Sequence, residues 1–223
     1  MEEHIVKILK IEQVTRNVKR FQCEKPVGYS FKPGQATDVS INIPALRAEK
    51  RPFTFTSLNS AEYLEFTIKI YSDHNGITNE LGKLKLGSEL IIRDVWGDIA
   101  YKGKGIFIAG GAGITPFISI FRDLQQANKI EGNRLIFANK TKNDIILESE
   151  LKRLLGDSFI NILSDEKLEG YSFGFITEEF LKVNIPEHIN NFYLCGPPPM
   201  METILKHLSS LGVGANLITM EKM

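Results

Sequence analysis

From the N-terminus to about Tyr101, apolar residues recur mainly at every second position, and turn chemistry breaks the alternation. Such alternation marks strands with one face turned to a core. Strands are predicted over residues 5–11, 36–43, 53–58, 63–71 and 89–93, with turns or loops at Lys32-Pro33-Gly34, Leu58-Asn59-Ser60 and Asp73-His74-Asn75-Gly76. One short helical piece near 77–84 interrupts them. Many short strands at regular spacing predict a small antiparallel β-barrel.

After Lys104 the rhythm changes. Ile106-Phe107-Ile108-Ala109 is apolar without alternation, and residues 116–128 carry Phe117, Ile120, Phe121 and Leu124 at helical spacing. Leu135-Ile136-Phe137-Ala138 repeats the strand, and residues 147–155 repeat the helix. Further strands are predicted at 160–163, 192–195 and 216–219, with a weak helix at 177–182 and a longer one at 200–211. Continuous apolar strands alternating with helices mean a parallel sheet covered on both faces. The division falls at Tyr101-Lys102-Gly103-Lys104-Gly105, giving a barrel over 1–102 and an α/β domain over 103–223.

Composition narrows the functions available. A chain of 223 residues suffices for two compact domains. Lys+Arg equals Asp+Glu at 27 each, so no basic excess points to nucleic acid or anionic lipid. The two cysteines, Cys23 and Cys195, stand far apart without a CxxC pair. That argues against structural zinc and against an iron–sulfur cluster, which takes about four cysteines, so no metal site is expected. Sparse cysteine use, an acidic N-terminus and no apolar run near the roughly 20 residues that span a bilayer predict a cytoplasmic protein with no membrane span. Oligomeric state is open, a monomer being sufficient.

Three segments carry candidate chemistry. Phe192-Tyr193-Leu194 delivers Cys195 into Gly196-Pro197-Pro198-Pro199, at the strand end where open α/β sheets bind ligands. Taken alone, this is equally a buried thiol in a stiff turn. Ala109-Gly110-Gly111-Ala112-Gly113-Ile114-Thr115-Pro116 joins the first parallel strand to its helix, where glycines and a helix N-terminus suit a pyrophosphate. The spacing is neither GxGxxG nor a P-loop, and a glycine turn that only packs helix on strand has the same appearance. Arg51-Pro52-Phe53-Thr54 offers a phosphate fork, an aromatic ring and a hydroxyl, or simply leads into an edge strand.

In this order and spacing, the three segments resemble those of the ferredoxin–NADP reductase superfamily over essentially the whole chain. The resemblance implies an FAD-binding Greek-key barrel followed by a nicotinamide-nucleotide α/β domain. It implies that Arg51, beside Pro52, binds the FAD pyrophosphate, that Phe53 lies against the isoalloxazine, and that Thr54 hydrogen-bonds near flavin N5. Gly76, Ile77 and Thr78 look like the family's second FAD segment, although the residues alone also read as a capped short helix. Lys69 and Tyr71 match positions lining the ribityl and adenine side, and alone read as alternating solvent-facing residues. Gly110, Gly111, Ala112, Gly113, Ile114 and Thr115 are implied to carry the NAD(P)H pyrophosphate, with Thr115 reaching toward flavin and nicotinamide. Cys195, with Gly196 and Pro197, is implied to sit beside nicotinamide C4 in a positional role. No base accompanies it, since His188 and His207 fall on loop and helix surfaces.

Some relatives end in an aromatic residue stacked on the flavin, where this sequence reads Met220-Glu221-Lys222-Met223. Others continue into an iron–sulfur segment. Glu221 matches an acidic position that approaches the flavin in some relatives, but alone reads as a frayed terminal residue. Asn139, Lys140 and Lys142 face the adenosine ribose in this scheme. The lysines favour a 2′-phosphate, whereas Asp144 either binds a 2′-hydroxyl or caps the following helix, so NADH and NADPH both stand. The implied activity is hydride transfer from NAD(P)H to FAD, then electron transfer to a separate acceptor: a ferredoxin, a flavodoxin, a quinone-like compound or a partner subunit. The alternatives are a non-catalytic or regulatory flavin-binding electron-transfer subunit, or a ligand-binding α/β protein without flavin.

Overall fold

The N-terminal strands are β1 (His4–Thr15), β2 (Val18–Glu24), β3 (Ala36–Ile41), β4 (Arg51–Thr54), β5 (Tyr63–Lys69), β6 (Glu89–Ile92) and β7 (Val95–Trp96), with helix α1 (Ile77–Lys83) before β6. They pair antiparallel in the order β4-β3-β6-β1-β2-β5, with β7 on β3. Beyond β4, Phe55 bridges Phe66 of β5, and the Thr56 N–H donates to the Glu65 carbonyl at 2.8 Å. Those contacts join the two ends of the strand order, so the sheet closes into a Greek-key barrel and loses its open edges. Phe21, Phe31, Phe55, Phe66, Val39, Leu64 and Leu90 fill the interior, and Ile77 and Leu81 of α1 complete it at one end. The computed structural model describes residues 2–73, 76–186 and 189–221; His74, Asn75 and His188, named above in a turn and on a loop surface, lie outside them.

The second half contains β8 (Ile106–Gly110), α2 (Thr115–Gln126), β9 (Arg134–Asn139), α3 (Glu148–Leu155), β10 (Phe159–Leu163), β11 (Ser172–Phe173), α4 (Glu178–Asn184), β12 (Phe192–Cys195), α5 (Pro198–Ser210) and β13 (Ile218–Thr219). Its strands are all parallel, in the order β11-β10-β9-β8-β12-β13. The chain leaves β8 toward β9 on one side and later returns to β12 on the other. That reversal is a topological switch point, where open α/β sheets leave a crevice at the carboxyl ends of their strands.

Several predicted elements shift. β2 was not predicted, because its outward row begins with Val18, which is buried by the α/β half alongside Ile99, Phe117 and Phe121. Apolar residues on both faces hide a two-residue period. The strand expected at 53–58 begins earlier, at Arg51, and ends at Thr54. Pro52 is tolerated in β4, whose ladder pairs only with β3. α5 starts at Pro198, not Met200: the first helical turn needs no N–H, so Pro198 and Pro199 fit it. Thr177 proves to be the cap of α4, its hydroxyl accepting from the Phe180 N–H at 3.1 Å. Among the described residues, no helix is long and apolar enough to cross a membrane.

Candidate active site

At the switch point, the turn after β8 and the turn after β12 press together. A β-carbon on Gly113 would fall on the Cys195 carbonyl, and one on Gly110 would fall on the Met200 sulfur. Gly196 in turn lies against the backbone of Gly110. These three glycines therefore serve loop-to-loop packing. Gly111 differs: its φ is +52°, and nothing lies within 4 Å of its missing side chain. Residues Gly111–Ile114 form a 3₁₀ turn that runs directly into α2, and neither helix has a side-chain cap. The leading N–H groups of the 3₁₀ turn, at Gly111 and Ala112, are left for an anion from solvent, with the dipole of α2 behind them, while the Thr115 N–H is taken by the Ala112 carbonyl and Pro116 has none. The start of α5 cannot play that part, because Pro198 and Pro199 carry no N–H.

Above this turn lies a cleft of about 640 Å³ between the barrel and the parallel sheet. It gathers Lys69 and Tyr71 from the barrel with Gly110, Gly111, Ala112, Asn139, Lys140 and Pro197 from the α/β half. Lys69 lies over the Tyr71 ring at 5.6 Å. The Asn139 side-chain nitrogen is buried without a hydrogen-bond partner, an orphan donor that a bound ligand can satisfy. Arg16, Lys69 and Lys140 bring positive charge, and the one acid in the lining is already engaged. Asp144 Oδ2 accepts from the Thr141 N–H at 3.1 Å and from its hydroxyl at 2.7 Å, while Oδ1 pairs with Arg16 at 3.3 Å. Asp144 thus closes a capping box on its own 3₁₀ turn, Lys142–Asp144, and does not cap the following helix α3, which begins at Glu148 without a side-chain cap. Lys142 is turned away, over the Tyr171 ring at 5.5 Å.

Arg51, Pro52, Phe53 and Thr54 are outside this cleft. Arg51 is exposed, with Nη1 donating to the Lys50 carbonyl at 2.7 Å, while Phe53 and Thr54 are half-buried. Gly76, Ile77 and Thr78 open α1, which packs on β3, the partner strand of β4. The Ile77 side chain is in the core, so at this helix start the residue can offer only its backbone.

A chain of contacts runs from Thr54 toward Cys195. Thr54 and Trp96 both pair with Ala36, and next to Trp96 the Asp98 N–H donates to Glu221 at 3.3 Å. Burial, with the Glu221 charge behind it, pushes the Cys195 thiol up to about 12, so near neutrality it is a protonated, inert group. Glu221 is thereby docked rather than frayed. The Thr115 hydroxyl donates to the Ala112 carbonyl at 3.0 Å, tightening the phosphate turn while keeping its lone pairs available. Ile114 is buried beneath that turn. His207 is half-buried on α5.

Arg16, Asn17 and Phe175 at the cleft escaped prediction, as did Asp165 close to it. Arg16 and Asn17 belong to the β1–β2 hairpin, invisible once β2 was missed. Phe175, 78% exposed, lines the cleft beside Gly174. An aromatic-Gly-aromatic run in a polar loop was its available signal. Asp165 follows β10, and its N–H donates to the Lys140 carbonyl at 2.9 Å, which brings an acid alongside Lys140. Its signal was an acidic residue at the end of a parallel strand, the position that takes a ribose hydroxyl in dinucleotide folds.

The two halves match two known domain families: residues 4–128 match the FAD-binding domain and residues 107–206 the oxidoreductase NAD-binding domain. The chain belongs to the ferredoxin–NADP reductase superfamily. It is an oxidoreductase whose cofactors are FAD and a nicotinamide dinucleotide. An NADH-cytochrome b5 reductase of Aspergillus terreus is 32% identical over 87% of the chain and 72% of its own length. The glycine betaine monooxygenase reductase subunit of Chromohalobacter salexigens is 29% identical over 94% of the chain, which spans 61% of that protein. Among solved structures, a ferredoxin NADP+ reductase from Neisseria gonorrhoeae with bound FAD and NADP superposes with a TM-score of 0.87. It is 21% identical, with 99% of this chain and 98% of that one covered, and so attests the fold.

Proposed function

We propose that this superfamily member takes a hydride from NAD(P)H onto FAD and passes electrons to a separate acceptor. The observation that carries the reading is the junction of the uncapped Gly111–Ile114 turn with the Cys195 turn at one switch point, beside a cleft that Lys69 and Tyr71 line from the barrel. We take residues 1–102 as the flavin unit and 103–223 as the nucleotide unit.

When bound, the flavin supplies the redox chemistry, converting a two-electron hydride into electrons an acceptor can take. The protein's own residues bind and orient. Arg51 holds flavin pyrophosphate with the amides at the start of α1, Phe53 packs on the ring, and Thr54 presents its hydroxyl at the ring edge. Lys69 and Tyr71 line the cleft shared with the glycine turn, so they stand where the two dinucleotides meet. Gly111 and Ala112, with the N-terminus of α2, bind the nucleotide pyrophosphate. Asn139 and Lys140 face its adenosine. Cys195, Gly196 and Pro197 form the wall that holds the nicotinamide against the flavin, and the protonated thiol excludes water.

The acceptor is a one- or two-electron carrier such as a ferredoxin, a flavodoxin, a cytochrome b5-type haem domain or an oxygenase subunit, in a cytoplasmic setting. The relatives named above support that class: one is named for cytochrome b5, another as a monooxygenase's reductase subunit. Anaerobic mixing of the FAD-loaded protein with NADH or NADPH tests the reading. Rapid bleaching of the yellow flavin is expected; a flavin that neither nucleotide bleaches would favour a non-catalytic flavin-binding subunit instead.

A further inference from the structure

Arg122 lies on α2, two helical turns beyond Thr115, and is partly buried, its side chain 18% exposed, where α2 meets Thr56 and Glu65 of the barrel. Its guanidinium joins three elements. Nε and Nη2 donate to the two oxygens of Glu150 on α3, at 2.6 and 2.9 Å. Nη1 donates to the Thr56 carbonyl at 2.6 Å and to Glu65 Oε1 at 2.7 Å. Glu65 is 2% exposed, and its Oε1 also accepts from the Thr56 hydroxyl at 2.9 Å. Burial works against the charge on Arg122, but Glu150 and Glu65 outweigh it and hold the guanidinium above its ordinary range. Buried ions with one fixed arrangement of partners resist sliding, because any shift leaves a charge unpaired in a poorly solvated place.

The placement of those partners gives the brace its meaning. Thr56 lies two residues beyond Thr54 on the run from β4, and Arg122 is on the helix whose first residue is Thr115. One side chain therefore ties the strand read as flavin-facing to the helix read as nucleotide-facing. Three residues before it on the same helix, Ser119 accepts from the Gly34 N–H of the barrel at 3.1 Å, a second tie along the same face.

We infer that Arg122 is a positioning residue for hydride transfer: by anchoring α2 to Thr56 and Glu65, it sets how closely the nicotinamide approaches the flavin. The inference rests on the reductase reading above. Lysine cannot replace it, since a single ammonium does not reach Glu150 bidentately while also bonding Thr56 and Glu65. Misplacement of reacting atoms by about 1 Å costs up to roughly a hundredfold in rate.

The test uses FAD-loaded Arg122→Lys and the milder Glu150→Gln, which keeps an acceptor oxygen at the bridge. Reduction by the preferred nucleotide is followed by stopped flow, with nucleotide deuterated at the transferred position, alongside FAD content and nucleotide Kd. The expected result is FAD retained, Kd within about twofold, a tenfold or greater loss of reduction rate in Arg122→Lys, and a smaller loss in Glu150→Gln. The long-wavelength flavin–nicotinamide charge-transfer absorbance weakens and the isotope effect changes, which overall destabilisation does not produce. Variants that match the unaltered protein in rate, or a rate loss explained wholly by lost FAD or weakened Kd, overturn the inference alone. Failure of the unaltered protein to be reduced by either nucleotide overturns the reductase reading and this inference with it.

Discussion

The carbonyl oxygen of Cys195 occupies the place where a β-carbon on Gly113 would have to stand. Gly113→Ala is therefore expected to push the β8 and β12 turns apart, costing on the order of 1–3 kcal/mol and lowering affinity for the nicotinamide nucleotide. Gly111→Ala meets no neighbour and carries only the penalty of its left-handed φ, about 1–2 kcal/mol. Thermal unfolding of the two variants, with nucleotide titration, checks the contrast; an equal loss of affinity in both would show that crowding at residue 113 is not the cause.

Removing the exposed Arg51 guanidinium leaves the barrel core untouched, so Arg51→Ala should fold and yet lose FAD. A charge-assisted contact to phosphate is worth about 1.5–3 kcal/mol, roughly a ten- to hundredfold weakening. The ratio of flavin to protein after gel filtration measures it, and a variant that stays fully yellow would contradict the assignment.

Nucleotide choice should turn on Lys140 and Asp165, now that Asp144 is spent as a cap. Asp165→Ser removes a negative charge beside Lys140 that would oppose a 2′-phosphate, so it should shift the ratio of kcat/KM toward NADPH. Lys140→Ala should shift it toward NADH. Steady-state rates with both nucleotides decide, and an unchanged ratio in both variants would place the adenosine elsewhere.

Burial raises both thiols, Cys23 and Cys195, from 9.0 to about 12. A folded pKa above the unfolded one means a contribution to stability that is complete below pH 9 and lost progressively as pH rises toward 12. Equilibrium unfolding across the alkaline range should show that decline, softened in Cys195→Ser. Near neutrality neither thiol should react with iodoacetamide until the protein is denatured. Cys195→Ser should also slow flavin reduction while FAD stays bound, and an unchanged rate would leave the thiol a packing role only.

The barrel and the parallel sheet were legible because β5 alternates Leu64, Phe66 and Ile68 with polar residues, turn residues separate many short strands, and β8, β9 and β12 are uninterrupted apolar runs. β2 was not, because Val18 is covered by a neighbouring domain that local periodicity does not register. The glycine turn was open to two readings, ligand approach and helix-on-strand packing, and its glycines divide between the two roles. Gly110 and Gly113 are small to admit the next turn of protein, and Gly111 opens outward, a division that composition alone does not reveal. Asp144 was ambiguous until its partners were visible. Arg16 and Phe175 come from loops that only the three-dimensional pairing brings to one mouth, and Asp165 reaches Lys140 only through the β9–β10 pairing.

The parallel strand order has a consequence for how the protein is made. β8 lies at the middle of its sheet, yet its second neighbour, β12, is translated only after β9, β10 and β11. Until then a nascent chain carries an apolar strand with an unpaired backbone edge, a template for wrong pairing. Truncations upstream of Phe192 should accordingly precipitate or bind chaperones, even though the barrel is complete.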